Sequence, residues 1–289
     1  MLLRGPKGAE SPPRTARSGS FIYALGGVNG GAGFKAAEGY APQLNAWGGV
    51  ALLPRGRLGF SAITGPGGKI FLIGGCGTTI FPPGCAGSAL RTVDVYTPSS
   101  NTYSTRAPLP VARVANGAAL GSDGRLYALG GRNGSGLVSE VDAYSFTSHS
   151  WTQVAPLPKP REAAVVVAGK DGRIYVIGGI GSGTTAAVSN QAYNLATNTW
   201  TSRAPLPFGV SMAAGAVGPD GRIYVVGGCN TSLAPNCLYT GVQVYKPSTN
   251  TWSQANALFD GVDNAAAATG GTASSISSAG RTTSQADRR

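Results

Sequence analysis

The chain has one histidine, His149, in 289 residues. A single imidazole cannot build a multi-histidine metal centre, and Ser-His-Asp chemistry would have to run through a residue lodged in the Ser-rich stretch TSHSW, 147–151. Charge is scarce too: only 12% of residues carry it. No run of about 18 apolar residues occurs, so no transmembrane helix is expected. The opening MLLRGPKGAESPPRTARSGS lacks an apolar segment of signal-peptide length, which leaves either a cytosolic chain or an export signal outside this sequence. Lysine and arginine form no runs. Of the net charge of +11, the ends supply +5, because residues 1–20 hold four basic and one acidic residue and residues 270–289 hold three and one. The diffuse +6 that remains comes without a recognition-helix pattern and does not point to nucleic acid.

What is abundant is glycine and proline, 45 and 19 residues, a balance that favours many short strands joined by turns. One phrase recurs five times: GSFIYALGG (19–27), GGKIFLIGG (67–75), DGRLYALGG (123–131), DGRIYVIGG (171–179) and DGRIYVVGG (220–228). In three copies Asp-Gly supplies the positive-φ positions of a tight hairpin turn. The run behind the turn is apolar on both alternating faces, so each of these strands should be sandwiched between layers. The Gly pairs, Gly26 and Gly27, Gly74 and Gly75, Gly130 and Gly131, Gly178 and Gly179, and Gly227 and Gly228, then admit a backbone approach that a Cβ would block.

A second landmark follows each pair: a tyrosine with an aromatic seven residues on. These are Tyr40 and Trp47, Tyr96 and Tyr103, Tyr144 and Trp151, Tyr193 and Trp200, and Tyr245 and Trp252. Turn formers lie between them, so the tyrosine ends one strand and the aromatic begins the next. From each aromatic to the next Gly pair the distance is 27 residues in all four cases, whereas the step from Gly pair to tyrosine runs 14, 22, 14, 15 and 18. One rigid unit is therefore copied, and its length varies in one loop. Each unit of about 48 residues carries four strands, and such sheets bury both faces by stacking around an axis as a β-propeller.

These landmarks over residues 20–269 resemble the kelch repeat, which implies an all-β propeller of about five four-stranded blades. The expected blades are 19–55, 56–111, 112–159, 160–208 and 209–258, between a disordered leader at 1–18 and a low-complexity tail at 270–289. AESPPRTARSG does not read as a strand, so blade one lacks an innermost strand. Residues 262–269 are expected to return and supply it, as kelch propellers commonly close, which removes exposed edges. Kelch rings usually have six or seven blades; this chain is either a five-bladed ring or part of a longer array.

Antiparallel strands put the variable loop on the same face as the link from strand four into the next blade, and function is expected where loops vary. Arg57, Arg113 and Arg161 stand ten residues after the aromatic, on those links. Converging at the channel mouth they would grip an acidic peptide or anionic glycan, with each paired contact worth roughly 1.5–3 kcal/mol, as Arg does at that position in kelch interaction domains. Alternatively they tie blades together by bonding neighbouring carbonyls. Cys76 and Cys85, and Cys229 and Cys237, occupy corresponding places in the two longest variable loops. Bridges 76 to 85 and 229 to 237 would each add about 2–3 kcal/mol and imply an oxidising, extracytoplasmic compartment; buried free thiols are the alternative. Zinc would want Cys-x2-Cys spacing or histidine company. Asn133 in NGS and Asn230 in NTS fit a glycosylation pattern. The repeated Tyr and Trp are read as blade packing rather than a ligand platform.

Two function classes remain. A galactose-oxidase-like copper site needs two histidines and is excluded by composition. An enzyme resembling the sialate mutarotase kelch proteins would need only carboxylates and arginine near the axis, and Glu162 and Asp263 share the offset of eleven; but neighbours on a strand face opposite ways, so Arg161 and Glu162 cannot both face the channel. The preferred expectation is a secreted, non-enzymatic, monomeric binding propeller without cofactor or metal, its partner a protein, peptide or anionic glycan on the variable-loop face.

Overall fold

The computed structural model describes residues 14–18, 21–29, 32–77, 85–230, 238–269 and 276–281. Five four-stranded antiparallel sheets make up most of that span, as the repeat predicts. Blade two comprises Ser61–Thr64, Ile70–Ile73, Val93–Thr97 and Thr102–Arg106; blade three Gly117–Leu120, Leu126–Leu129, Val141–Ser145 and Ser150–Val154. Blade four comprises Val165–Ala168, Arg173–Ile177, Asn190–Asn194 and Thr199–Arg203; blade five Ala214–Val217, Ile223–Val226, Val242–Lys246 and Thr251–Ala255.

The second strands are largely apolar because neighbouring blades cover both faces: Ile70–Ile73 and Leu126–Leu129 are buried at every residue. The cores accordingly lie between blades. Leu25 and Tyr23 of blade one meet Leu72, Ile70 and Tyr96 of blade two, and Phe71 and Ile73 of blade two meet Leu126 and Tyr144 of blade three. Each landmark tyrosine stands directly opposite its aromatic on the fourth strand, with ring centroids 5.0–5.3 Å apart. The paired rings pack against each other within each blade.

The first blade corrects the sequence reading. Its innermost strand is Arg14–Ser18, paired with Phe21–Leu25 in the register Arg14 to Leu25, so part of the expected leader is blade. Innermost strands elsewhere read SAIT, GAAL, VVVA and AGAV, and most residues of those in blades two and three are only half-buried; such a place demands backbone pairing more than an apolar pattern. With that edge filled, the C-terminal segment cannot complete blade one. Asp263–Thr269 instead pairs with Ile276–Arg281, inside the expected tail, and lies between the innermost strands of blades five and one. Six innermost strands thus circle the axis, five from full blades and one from a two-stranded sixth unit.

Candidate functional site

The segment that leaves strand four and enters the next blade is pinned by the Gly pairs. The second glycine donates its N–H to a carbonyl ten residues past the preceding aromatic: Gly27 to Arg57, Gly75 to Arg113, Gly131 to Arg161, Gly179 to Val210 and Gly228 to Val262, at 2.7–3.0 Å. A Cβ on the first glycine would meet that same carbonyl oxygen, at 2.8 Å for Gly26, 2.5 Å for Gly74, 2.6 Å for Gly130 and 2.5 Å for Gly227, and closer still for Gly178. Every glycine of the five pairs also has positive φ. Two residues further along, the chain turns left-handed at Gly59, Ala115, Ala163 and Met212, with φ of 53–61°. Ala115 N–H donates to Gly59 O, Ala163 N–H to Ala115 O and Met212 N–H to Ala163 O, at 2.7–2.9 Å, a backbone belt that links successive blades.

This belt settles where the predicted arginines lie. Arg57 and Arg113 are fully buried and Arg161 is 4% exposed. Arg57 pairs with Asp94 and donates to Leu72 O, Gly74 O and Thr92 Oγ1 at 3.2–3.4 Å. Arg113 pairs with Asp142 and donates to Glu140 O at 3.0 Å and Ala128 O at 3.4 Å. Arg161 donates to Gly178 O at 2.9 Å and to Ser189 Oγ, with no carboxylate partner among the described residues. The three guanidiniums are therefore buried inside blades two, three and four, one per blade. The offset of ten alone did not reveal their partners: Asp94 and Asp142 stand two residues before their tyrosines, where blade four has Gln191.

Burial is the largest influence on these groups. It lowers Arg57 to about 10 against the opposing pull of Asp94, and lowers Arg113 against Asp142 and Glu140. Arg161 is lowered by burial with no carboxylate to offset it. Burial likewise raises Asp142 from its ordinary value despite Arg113. Both partners of the buried pair thus move toward their neutral forms, the mark of a desolvation cost that exceeds the attraction.

Cys76 and Cys85 are disulfide-bonded, with Cα atoms 5.9 Å apart, and pack against Leu58 and Val114 under the blade-two loop. Cys229 is also disulfide-bonded, while Cys237 lies outside the described residues. Glu162 is buried beneath Arg132, which donates from Nε to its carboxylate at 2.8 Å. The Asp263 side chain lies outside what is described. His149 is exposed in the outer turn of blade three, at a left-handed position that the other blades fill with Asn. Among the described residues no three His, Cys, Asp or Glu side chains gather as a metal site, and no helix is long and apolar enough to cross a membrane.

The side chains that do face solvent on the variable-loop face were not singled out by the repeat arithmetic. Eight residues past the aromatic stand Arg55, Val111, Lys159, Phe208 and Asp260, a different chemistry in every blade. The Arg55 side chain is 43% exposed, with Nε 3.3 Å from the Asp94 carboxylate, and Lys159 is exposed. Phe208 is 39% exposed and stacks on Tyr239 of the blade-five loop, centroids 4.6 Å apart and planes 21° apart. Its backbone is clamped from both sides by the fully buried Gln243, which accepts from Phe208 N–H and donates to Phe208 O, both at 2.9 Å. Reading that column of positions across the repeats, rather than the arginine column, would have found them.

A family model described as KLHDC2/KLHL20/DRC7 Kelch-repeats domain matches residues 59–270. No curated protein matches the chain. Among solved structures 515 chains match, so the scaffold is common and by itself names no ligand. One of them, titled "Structure of YjhT", superposes with a TM-score of 0.74 at 15% identity, over 92% of this chain and 89% of that one. At that identity the likeness is one of fold.

Proposed function

The chain belongs to the kelch-repeat family, and from that premise we propose that it is a non-enzymatic binding module whose variable-loop face takes an acidic peptide segment of a partner protein. The observation that carries this reading is the contrast between faces. On the opposite face the blades repeat one another: Asp123, Asp171 and Asp220 each brace the same turn, and Tyr40, Tyr96, Tyr193 and Tyr245 each donate to the turn Asn five residues on. On the loop face the same column changes from Arg55 to Val111, Lys159, Phe208 and the exposed Asp260. A rigid aromatic anchor and exposed cations on one face are residue types that recur at protein-binding hot spots. Cations at the rim give specificity and association rate to an acidic partner more than affinity. The disulfide between Cys76 and Cys85 is compatible with an extracellular location, which is where we place the module.

The test is an array of acidic peptides and anionic glycans probed with the labelled 289-residue chain. Salt-sensitive capture of acidic peptides, lost in Phe208→Ala and in Arg55→Glu with Lys159→Glu, is the expected result. Capture unchanged by both variants would overturn the assigned face. Catalysed interconversion of sialic acid anomers, followed by NMR, would replace the binding reading with the mutarotase-like one.

A further inference from the structure

We propose that Asn133 and Gly134 form a self-modifying site, at which the asparagine amide closes on the next peptide nitrogen, sheds ammonia and leaves a carboxylate on the variable-loop face. The chain has three Asn-Gly pairs: Asn29–Gly30, Asn116–Gly117 and Asn133–Gly134. Glycine suits the chemistry because its nitrogen has no neighbouring Cβ to hinder attack. Gly30 lies outside the described residues, and the other two pairs stand in opposite surroundings.

Asn133 ends the short strand Arg132–Asn133, which pairs with Gly136–Leu137 in a hairpin that directly follows the blade-three Gly pair. Gly134 and Ser135 form its exposed turn. The Asn133 side chain folds back over that turn, with Oδ1 accepting from Ser135 N–H at 2.9 Å. The Gly134 N–H has no hydrogen-bond partner among the described residues. A free nitrogen therefore stands beside an amide carbon whose oxygen already holds a donor, and that donor sits where negative charge develops as the nitrogen adds. Asn116 has none of this freedom. It is 6% exposed, its Nδ2 is held by Ser61 Oγ and Gly117 O at 3.4 Å, and Gly117 is fixed in the strand Gly117–Leu120 opposite Leu129. Val166 packs over Gly117 so closely that a Cβ there would overlap it. Ring closure requires the peptide after the asparagine to rotate, and this packed strand forbids it.

The reaction consumes only water. Gly134 N gives up its proton to solvent and bonds to Asn133 Cγ, while Nδ2 takes a proton and leaves as ammonia, closing a five-membered succinimide. Water then opens either ring carbonyl, giving aspartate on the original backbone or isoaspartate with the backbone routed through the side chain. Either product puts a negative charge next to Arg132, whose Nε already donates to the buried Glu162 at 2.8 Å. The isoaspartyl form also adds a carbon to the strand paired with Gly136–Leu137. The Arg132–Glu162 pair, neutral by itself, thereby gains an anionic neighbour on the loop face. The conversion does not rest on the binding reading above, so either can fail without the other.

The test incubates the purified 289-residue chain in mildly alkaline buffer at body temperature, digests it with pepsin at low pH, where the reaction does not run, and reads the peptides by tandem mass spectrometry. Asn133 should convert to aspartyl and isoaspartyl forms at least tenfold faster than Asn116, with a more acidic species separating on ion exchange as it does so. In guanidinium chloride, where the fold no longer shields Gly117, the two rates should come together. Gly134→Ala should slow conversion at 133 at least tenfold. Equal rates at Asn116 and Asn133 in the folded chain, or a difference that persists in guanidinium, overturns the proposal. So does an Asn133 that keeps its amide while a free peptide copying residues 130–137 turns over completely.

Discussion

Blades three, four and five contain three versions of one joint, and they predict what a double substitution will do. Blade three has Arg113 on Asp142; blade four keeps Arg161 but has Gln191 in place of the acid; blade five has neither, with Val210 and the buried Gln243 bonded to backbone. Arg113→Val alone leaves the Asp142 carboxylate, 2% exposed, without its counter-charge and should cost about 3–5 kcal/mol. Asp142→Gln alone reproduces blade four, where the guanidinium keeps its carbonyl acceptors, and should cost about 1.5–3 kcal/mol, the worth of a hydrogen bond to a charged group. The double variant reproduces blade five. Because burial already drives Arg113 down and Asp142 up, removing both charges recovers the desolvation cost, and its stability should return to within about 1 kcal/mol of the parent. Urea unfolding followed by tryptophan fluorescence gives the four corners of the cycle, and the Arg113→Val chain should melt about 10 °C lower. Additive losses in the double variant would refute the reasoning, since the two residues would then not act as one unit.

Four further outcomes follow from the same geometry. Gly178→Ala forces a Cβ onto Val210 O at a φ of 68° and should cost about 1–3 kcal/mol, whereas Gly183→Ala, with nothing within 4 Å, should leave the urea midpoint unmoved. Tyr103 occupies the place of the landmark tryptophan with its hydroxyl buried and unpartnered among the described residues, so Tyr103→Phe should raise stability by about 1 kcal/mol in the same assay. Reduction of the Cys76 to Cys85 bridge, or Cys76→Ser with Cys85→Ser, should lower stability by about 2–3 kcal/mol, the cost of freeing so short a loop. Burial raises the hydroxyls of Tyr23, Tyr144 and Tyr193 above the ordinary value of 10.0 and that of Tyr96 to about 12, so the fold favours the protonated phenol. That contribution is complete below pH 10 and is lost as pH rises from 10 toward 12, so phenolate absorbance should appear together with unfolding; a smooth titration centred on pH 10 in the folded chain would contradict it.

The parts of the molecule that were legible in the sequence are those that backbone geometry dictates. Gly74 must be glycine because its Cβ would touch Arg113 O, and Tyr96 must lie seven residues from Tyr103 because the two strands pair across a fixed turn. Such constraints act identically in every blade and so print a period. Side-chain partnerships print none. Asp94 and Asp142 stand two residues before their tyrosines, but Gln191 and Gln243 hold the same column, and only the paired change from Arg113 to Val210 in the other column shows that the acids are counter-charges rather than loop polarity. Phe208 escaped notice for the same reason, as a residue that differs from all its counterparts.

Ring closure was misread because an innermost strand carries almost no sequence signal. Arg14–Ser18 qualifies by supplying five backbone partners to Phe21–Leu25, and Ser18 Oγ adds a bond of 2.7 Å to Gly68 O of blade two. Each end of the chain therefore contributes its own innermost strand. A strand of the C-terminal segment paired into blade one would have closed the ring with a ladder of hydrogen bonds; instead Asp263–Thr269 lies beside Arg14–Ser18 and no ladder joins them. Among the described residues, blades five and one therefore meet through side-by-side packing of Asp263–Thr269 with the innermost strands on either side of it, whereas successive blades elsewhere also share an indole or Asn contact at the outer rim.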